Sequence, residues 1–211
     1  MNNFAFEIFF DGPPPFAFDP SRPVWEVLLS LDEAFKNRPG SIHVDAEISP
    51  LAELINKDLI TIESGARIEG AARIEGPAFI GKGAVVAHGA SVRAGTWLME
   101  NARVGHCSEV KRSLLFPRSK AAHFNYVGDS VLGANVNLGA GAILCNQRLN
   151  KRPVRIAGTE THMPKLGACI GDGASLGSGV ICNPGALIER GALCLPKSVI
   201  TGLFTAGSLT L

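Results

Sequence analysis

Nine aliphatic residues recur at a step of six without a break: Ile62, Ile68, Ile74, Ile80, Val86, Val92, Leu98, Val104 and Val110. Four positions after nearly every one stands a small residue: Ala66, Ala72, Ala78, Ala84, Ala90, Thr96, Ala102 and Ser108. Internal repeats decide architecture before local propensity does. A step of six matches neither the 3.6-residue period of a helix nor the alternation of a lone strand. It matches a chain that runs straight, turns a corner and repeats, with each aliphatic side chain pointing inward and each small residue permitting the corner. The series continues through Ala121, Val127, Leu132, Leu138 and Leu144, with five-residue steps at 110–114 and 127–131, and then through Ile170, Leu176, Cys182, Ile188, Cys194 and Ile200. Roughly twenty hexads at three per coil predict about six or seven coils, stacked at the strand spacing of about 4.8 Å. The expected fold is all-β: a left-handed parallel β-helix of hexapeptide repeats with a small N-terminal helical arm.

The arm is read at 1–41, the β-helix at 42–200 and an apolar tail at 201–211. Residues 3–10 are Phe-rich and predict one strand, ended by Pro13, Pro14 and Pro15. Ser21 is placed to cap a helix whose first turn holds Pro23. Val24, Leu28, Leu31 and Phe35 then share one helical face, and 37–40 closes it. A solenoid end exposes unpaired backbone, so the arm is expected to cover the first coil and the tail the last. The segment 147–165 breaks the repeat. It carries Arg148, Lys151, Arg152, Arg155 and Lys165 against Glu160 alone. Long loops in compact folds are often functional, and a solvated surface loop is the plainer alternative.

Composition removes several classes of function. The formal net charge is +1, so no bulk field recruits nucleic acid or an anionic membrane. The five cysteines form no CxxC pair, and Cys182 and Cys194 occupy inward repeat positions, where Cys acts as a small hydrophobe. An odd count without framework spacing suggests a reducing compartment. No apolar run approaches membrane-spanning length, and the N-terminal residues lack the charge pattern of a signal peptide. The expectation is a cytoplasmic protein.

Coil arithmetic aligns residues that are scattered in sequence. His88, His106 and His123 each take the third position of a hexad, one coil apart. Arg93 and Lys111 are eighteen residues apart in the neighbouring hexads. A histidine column beside a basic column offers a titratable base next to anion-binding groups, which suits proton abstraction from a phosphorylated substrate. Two other readings remain open from spacing alone: the histidines fill a corner, or imidazoles in register share a metal. No acidic ligand supports the metal.

The stretch 104–151 adds specific strings. Ser119-Lys120-Ala121-Ala122-His123-Phe124-Asn125-Tyr126-Val127-Gly128-Asp129 matches SKAxHxxYxGD, and 135–141 with Cys145-Asn146 matches NVNxGAG…CN. This stretch is similar to the acetyltransferase half of the bacterial bifunctional enzyme that joins a uridyltransferase to a glucosamine-1-phosphate N-acetyltransferase. The resemblance implies a homotrimer and acetyl-CoA as co-substrate, with no metal in the acetyl transfer. It implies that His123 is the catalytic base. Arg93 and Lys111 would hold the sugar phosphate, with Tyr126, Asn137 and Asn146 as sugar ligands. Ala140 and Ser178 would contact the coenzyme, with Lys151 near its phosphates; the excess of basic residues in 147–165 adds Arg152 as an expected coenzyme contact.

Three departures stand out. Where the family has CNYDG this chain reads CNQRL, so Gln147 replaces an aromatic sugar ligand. The segment 116–120 reads FPRSK where the family has a Gly-containing repeat. No Gly-rich nucleotide-binding run is present in these residues, although 23–29 resembles the helical linker preceding the β-helix in fused relatives. The expected function is acetyl-CoA-dependent N-acetylation of an amino-sugar phosphate, without a uridyltransferase domain. A non-catalytic trimeric sugar-nucleotide-binding or scaffold protein is the rival. A metal-dependent β-helix enzyme of the gamma-carbonic anhydrase type is a third reading, whose histidine spacing does not match 88/106/123.

Overall fold

The structure is a computed structural model that describes residues 4–36 and 38–207. The six-residue step becomes three parallel sheets that form the sides of a prism. Among the described residues the first sheet has nine strands, from Ser41–Ile42 to Leu203–Phe204. The second has eight, from Glu47–Ile48 to Leu193–Cys194, and the third eight, from Glu53–Ile55 to Val199–Ile200. That makes eight full coils and a ninth strand, more than the six or seven expected. The repeat starts near residue 41, where Ile42 and Ile48 already occupy hexad positions. Leu203–Phe204 extends the first sheet, and Phe204 closes the core at that end. The tail residues 208–211 lie outside the described residues.

Every inward aliphatic of the repeat from Ile62 onward is buried, and so are the small residues four positions on. The corner between them has one recurring geometry. The residue two or three after most of these aliphatics takes positive φ, as Gly in roughly half of the corners (Gly65 +66°, Gly83 +63°, Gly89 +67°, Gly141 +70°). Such a φ costs glycine little and other residues more. In the middle coils the position holds larger side chains: Cys107 (+50°), Arg112 (+43°), Phe124 (+52°) and Asp129 (+47°). Strained corners of this kind gather where the surrounding structure enforces them, often at functional sites. These coils are also one residue shorter. Val104 pairs with Ala121 and Val110 with Val127, a step of seventeen. Inward Cys182 and Cys194 pack as apolar residues, and burial pushes the Cys194 thiol up to about 11.

A second core lies outside the prism. Outward residues of the first sheet, among them Phe79, Trp97, Leu114, Val131, Cys169 and Leu187, meet the N-terminal arm and the 147–165 loop. The arm contributes helix α1 (Phe6–Phe9) and helix α2 (Val27–Phe35), preceded by a 3₁₀ turn at Val24–Glu26. The predicted strand at 3–10 is therefore a helical turn over its described part. Phe6, Phe9 and Phe10 are all buried at i, i+3 and i+4, while Glu7 and Ile8 face out. The α2 face of Val24, Leu28, Leu31 and Phe35 is buried as its spacing implies. Ser21 does not act as the expected cap. Its hydroxyl donates to Asp19, and neither cap position of the 3₁₀ turn and α2 makes a side-chain cap bond. The placement of the arm also corrects the expectation. It packs along the side of the first sheet, while the first strand, Ser41–Ile42, stays exposed. The outward face of the first sheet offers Phe79, Trp97 and Leu114, and the arm buries its apolar side chains against them.

Candidate active site

His123 closes the strand Lys120–His123 of the second sheet and stands at the corner before the third sheet, whose next strand is Tyr126–Gly128. Its backbone is pinned on both sides. The His123 amide donates to Asn125 Oδ1 at 3.0 Å, and its carbonyl accepts from the Gly141 amide at 3.0 Å. Asn125 is buried and also donates to the Gly139 carbonyl at 2.8 Å. Sequence reasoning gave Asn125 no role, although it lies inside the quoted string. The corner column continues through Ala140 and Ser178: the Gly141 amide bonds His123, and the Gly179 amide bonds the Ala140 carbonyl at 2.9 Å. His123, Ala140 and Ser178 thus stand on successive coils along one exposed edge. Asn137 is outward and exposed on the second sheet, in register with Lys120 and Ser175.

The three histidines are in register, yet they differ in partners. His106 pairs with His123 in the sheet. The rings of His88 and His106 stack at 5.7 Å. His106 Nδ1 is 3.1 Å from the His88 carbonyl, so it carries the proton, and Nε2 faces Cys107 Sγ at 3.4 Å. Both ring nitrogens of His106 are occupied. The His123 imidazole has no hydrogen-bond partner among the described residues, and its ring is exposed. Among those residues no group of three or more His, Cys, Asp or Glu is arranged to hold a metal ion.

The third sheet carries the candidate sugar and phosphate ligands. Arg93 follows the strand Ser91–Val92 and stands beside Lys111. Arg93 pairs with Glu109 at 2.9 Å, which holds its guanidinium above the ordinary range against the opposing effect of burial. Both partners are largely exposed, so this pair adds little to stability. Lys111 Nζ lies 3.3 Å from Asp129, and Asn146 Nδ2 donates to the same carboxylate at 2.5 Å. Tyr126 is half-buried between them. Burial, then the nearby Glu109 and Asp129, push its hydroxyl above the usual value, and the Asn146 hydrogen bond opposes them. Tyr126 therefore presents a neutral hydroxyl at physiological pH. Gly128 lets these groups close in: a Cβ would sit 2.6 Å from Asn146 Nδ2 and 2.7 Å from the Tyr126 hydroxyl and would displace both side-chain ends.

The structure thus gathers Arg93, Lys111, Tyr126 and Asn146 on one sheet, places His123 on its edge, and sets Asn137 on the adjoining sheet. Lys151 and Arg152 lie on the exposed outer part of the loop. The loop's inner side is not solvated, since Val154, Ile156, Met163 and Leu166 are buried against the first sheet.

No family model matches the chain. Among curated proteins it is 41% identical over 184 residues to the bifunctional protein GlmU of Methanocaldococcus jannaschii, covering 84% of this chain and 44% of that protein. It is 45% identical over 172 residues to GlmU of Methanococcus maripaludis, covering 80% and 41%. A bifunctional sugar-1-phosphate nucleotidylyltransferase/acetyltransferase of Sulfurisphaera tokodaii is 36% identical over 52% of this chain and 28% of its own length. The chain spans less than half the length of these relatives. Solved structures that it matches include the acetyltransferase domain of PglB from Neisseria gonorrhoeae, at 18% identity over 55% of each chain and a TM-score of 0.37. Similarity at 40–45% identity, carried by a stacked-coil solenoid, relates this chain to the acetyltransferase half of the bifunctional GlmU proteins.

Proposed function

We propose that the protein is an acetyl-CoA-dependent N-acetyltransferase of an amino-sugar phosphate, active as a homotrimer. The observation that carries this reading is the free His123 imidazole at the edge of a sheet bearing Arg93, Lys111, Tyr126 and Asn146. The GlmU relatives agree with it, as do the Ser119–Asp129 strings. In this mechanism Arg93 and Lys111 hold the phosphate and so fix the sugar. Positioning of this kind removes several kcal/mol from a bimolecular barrier. The Tyr126 hydroxyl and the Asn146 carboxamide orient the ring. His123 accepts the proton that the amine loses as it attacks the thioester carbonyl, and returns it to the CoA thiolate as the C–S bond breaks and the amide forms. The amides at 139, 141, 177 and 179 bond neighbouring coils, so the Ala140 and Ser178 amides on the exposed edge are the ones that stabilise the oxyanion and meet the coenzyme. Asn137 faces away from the phosphate-binding sheet, which agrees with a site completed between protomers.

A thiol-release assay with acetyl-CoA across amino-sugar phosphates and sugar nucleotides tests the activity. Turnover with an amino-sugar phosphate is expected, and none with any acceptor would favour a binding module instead. Light scattering is expected to give three times the 22.2 kDa chain mass. A 22.2 kDa species that retains full activity would sink the shared site.

The loop supplies a separate test. Lys151 and Arg152 are exposed and form no ion pair among the described residues, while Glu160, the loop's one acidic residue, lies 3.8 Å from His162. Replacing both with Ala should raise the KM for acetyl-CoA several-fold, weaken its salt dependence and leave kcat near its starting value. Unchanged coenzyme kinetics would remove the loop from the binding site.

A further inference from the structure

We propose that Asp129 is a positioning residue that sets which atoms Lys111 and Asn146 present to the acceptor; the proposal rests on the reading of the third sheet as the acceptor site. Asp129 is 2% exposed and sits in a left-handed corner of a seventeen-residue coil. Its Oδ2 accepts from Lys111 Nζ at 3.3 Å and from Asn146 Nδ2 at 2.5 Å. Its Oδ1 accepts from Arg112 Nη1 at 3.1 Å. Arg112 is in turn held by Asp32 of α2, Nε to Oδ1 at 3.1 Å and Nη2 to Oδ2 at 2.5 Å. A buried carboxylate needs such donors, because an unpaired one is costly to desolvate.

The geometry has a chemical consequence at Asn146. An amide end can face a carboxylate only through its nitrogen, because its oxygen would be repelled. Asp129 therefore turns Asn146 Nδ2 inward, where it also lies against Tyr126. Asn146 Oδ1 is left to accept from a sugar hydroxyl or amine. The Tyr126 hydroxyl, which receives a bond from Asn146, keeps its own proton to donate. The same carboxylate tethers Lys111 beside Arg93 without placing a negative group on the open side of the sheet. A uniform loss of charge or packing does not reproduce this pattern, because it depends on acceptors at both oxygens of residue 129.

Asp129→Asn tests the assignment. The new side chain has one acceptor and one donor. Arg112, anchored by Asp32, takes the carbonyl, so the amide nitrogen faces Lys111 and Asn146. Asn146 then turns its oxygen inward and offers a donor where the acceptor sugar needs an acceptor. The expected result is a rise of about tenfold or more in acceptor KM, the scale of one charge-assisted hydrogen bond, with acetyl-CoA KM within twofold. Asp129→Asn combined with Arg112→Met frees the carbonyl for Lys111 and Asn146, and should recover much of the acceptor KM. Asp32→Asn alone should leave it near the starting value. An unchanged acceptor KM in Asp129→Asn overturns the proposal. So does a parallel loss in both substrates that Arg112→Met does not rescue, which marks a structural residue. If the unsubstituted protein acetylates no amino-sugar phosphate, the functional reading fails by itself. Crystal structures of the native and Asp129→Asn proteins then decide: Lys111 Nζ leaving hydrogen-bond range of residue 129 supports the positioning role, and an unmoved Lys111 refutes it.

Discussion

Replacing His123 with Ala is expected to lower kcat by about 10²–10⁴-fold, the usual contribution of a positioned general base. The trimer, the coenzyme KM and the melting temperature should change little. The structural basis is a difference among three histidines of one column. His106 spends both ring nitrogens on the His88 carbonyl and Cys107, and His88 stacks on its ring. His106 thus has no free ring nitrogen, and His88 stands two coils from His123, on the far side of His106 from Tyr126. His123 has an unengaged ring, a backbone fixed through Asn125 and Gly141, and the third sheet with Arg93 and Lys111 at its side. His88→Ala should accordingly leave kcat within a few-fold. Near-full turnover by His123→Ala on the true acceptor would remove the base from the mechanism. Loss of the trimer would instead make the residue a corner support.

The prism was legible because its periodicity is a direct consequence of geometry: one aliphatic per face requires one aliphatic per six residues. The histidine and basic columns were legible for the same reason, since a seventeen- or eighteen-residue coil turns sequence separation into adjacency. What the repeat does not encode is the outside of the prism. Asp129 was read only as part of a string, because its role arises from Lys111 one coil below, Asn146 one coil above and Arg112 reaching toward α2. Asn125 was overlooked for a similar reason: its partners, His123 and Gly139, meet it only at the folded corner. The Phe-rich start was misread as a strand because composition was weighed above spacing. The i, i+3, i+4 pattern of Phe6, Phe9 and Phe10 already pointed to a helical turn.

The arm's placement also accounts for one departure from the family pattern, and it sets the second large effect. The FPRSK segment opens with Phe116, buried to 2% exposure. Its ring stacks on Phe10 at 5.2 Å with an interplanar angle of 1°, and Phe6 lies 6.1 Å away. The second core needs a large apolar group at this point, because α1 spans the outer face of the sheet here. Phe116→Ala removes that group and leaves a cavity between the arm and the prism. A change of this type costs about 3–5 kcal/mol. For a chain of this size each kcal/mol lowers the melting temperature by roughly 2–4 °C, so a fall of about 6–20 °C is expected. Phe116→Leu fills much of the space and should lose less than half as much. The substitution lies on the first sheet, away from His123 and the third sheet, so kcat and both KM values measured well below the transition should stay within a few-fold. A melting temperature within about 2 °C of the starting value would mean that the arm does not rest on this ring. An intact melting temperature with lost activity would instead make the FPRSK segment part of the acceptor site.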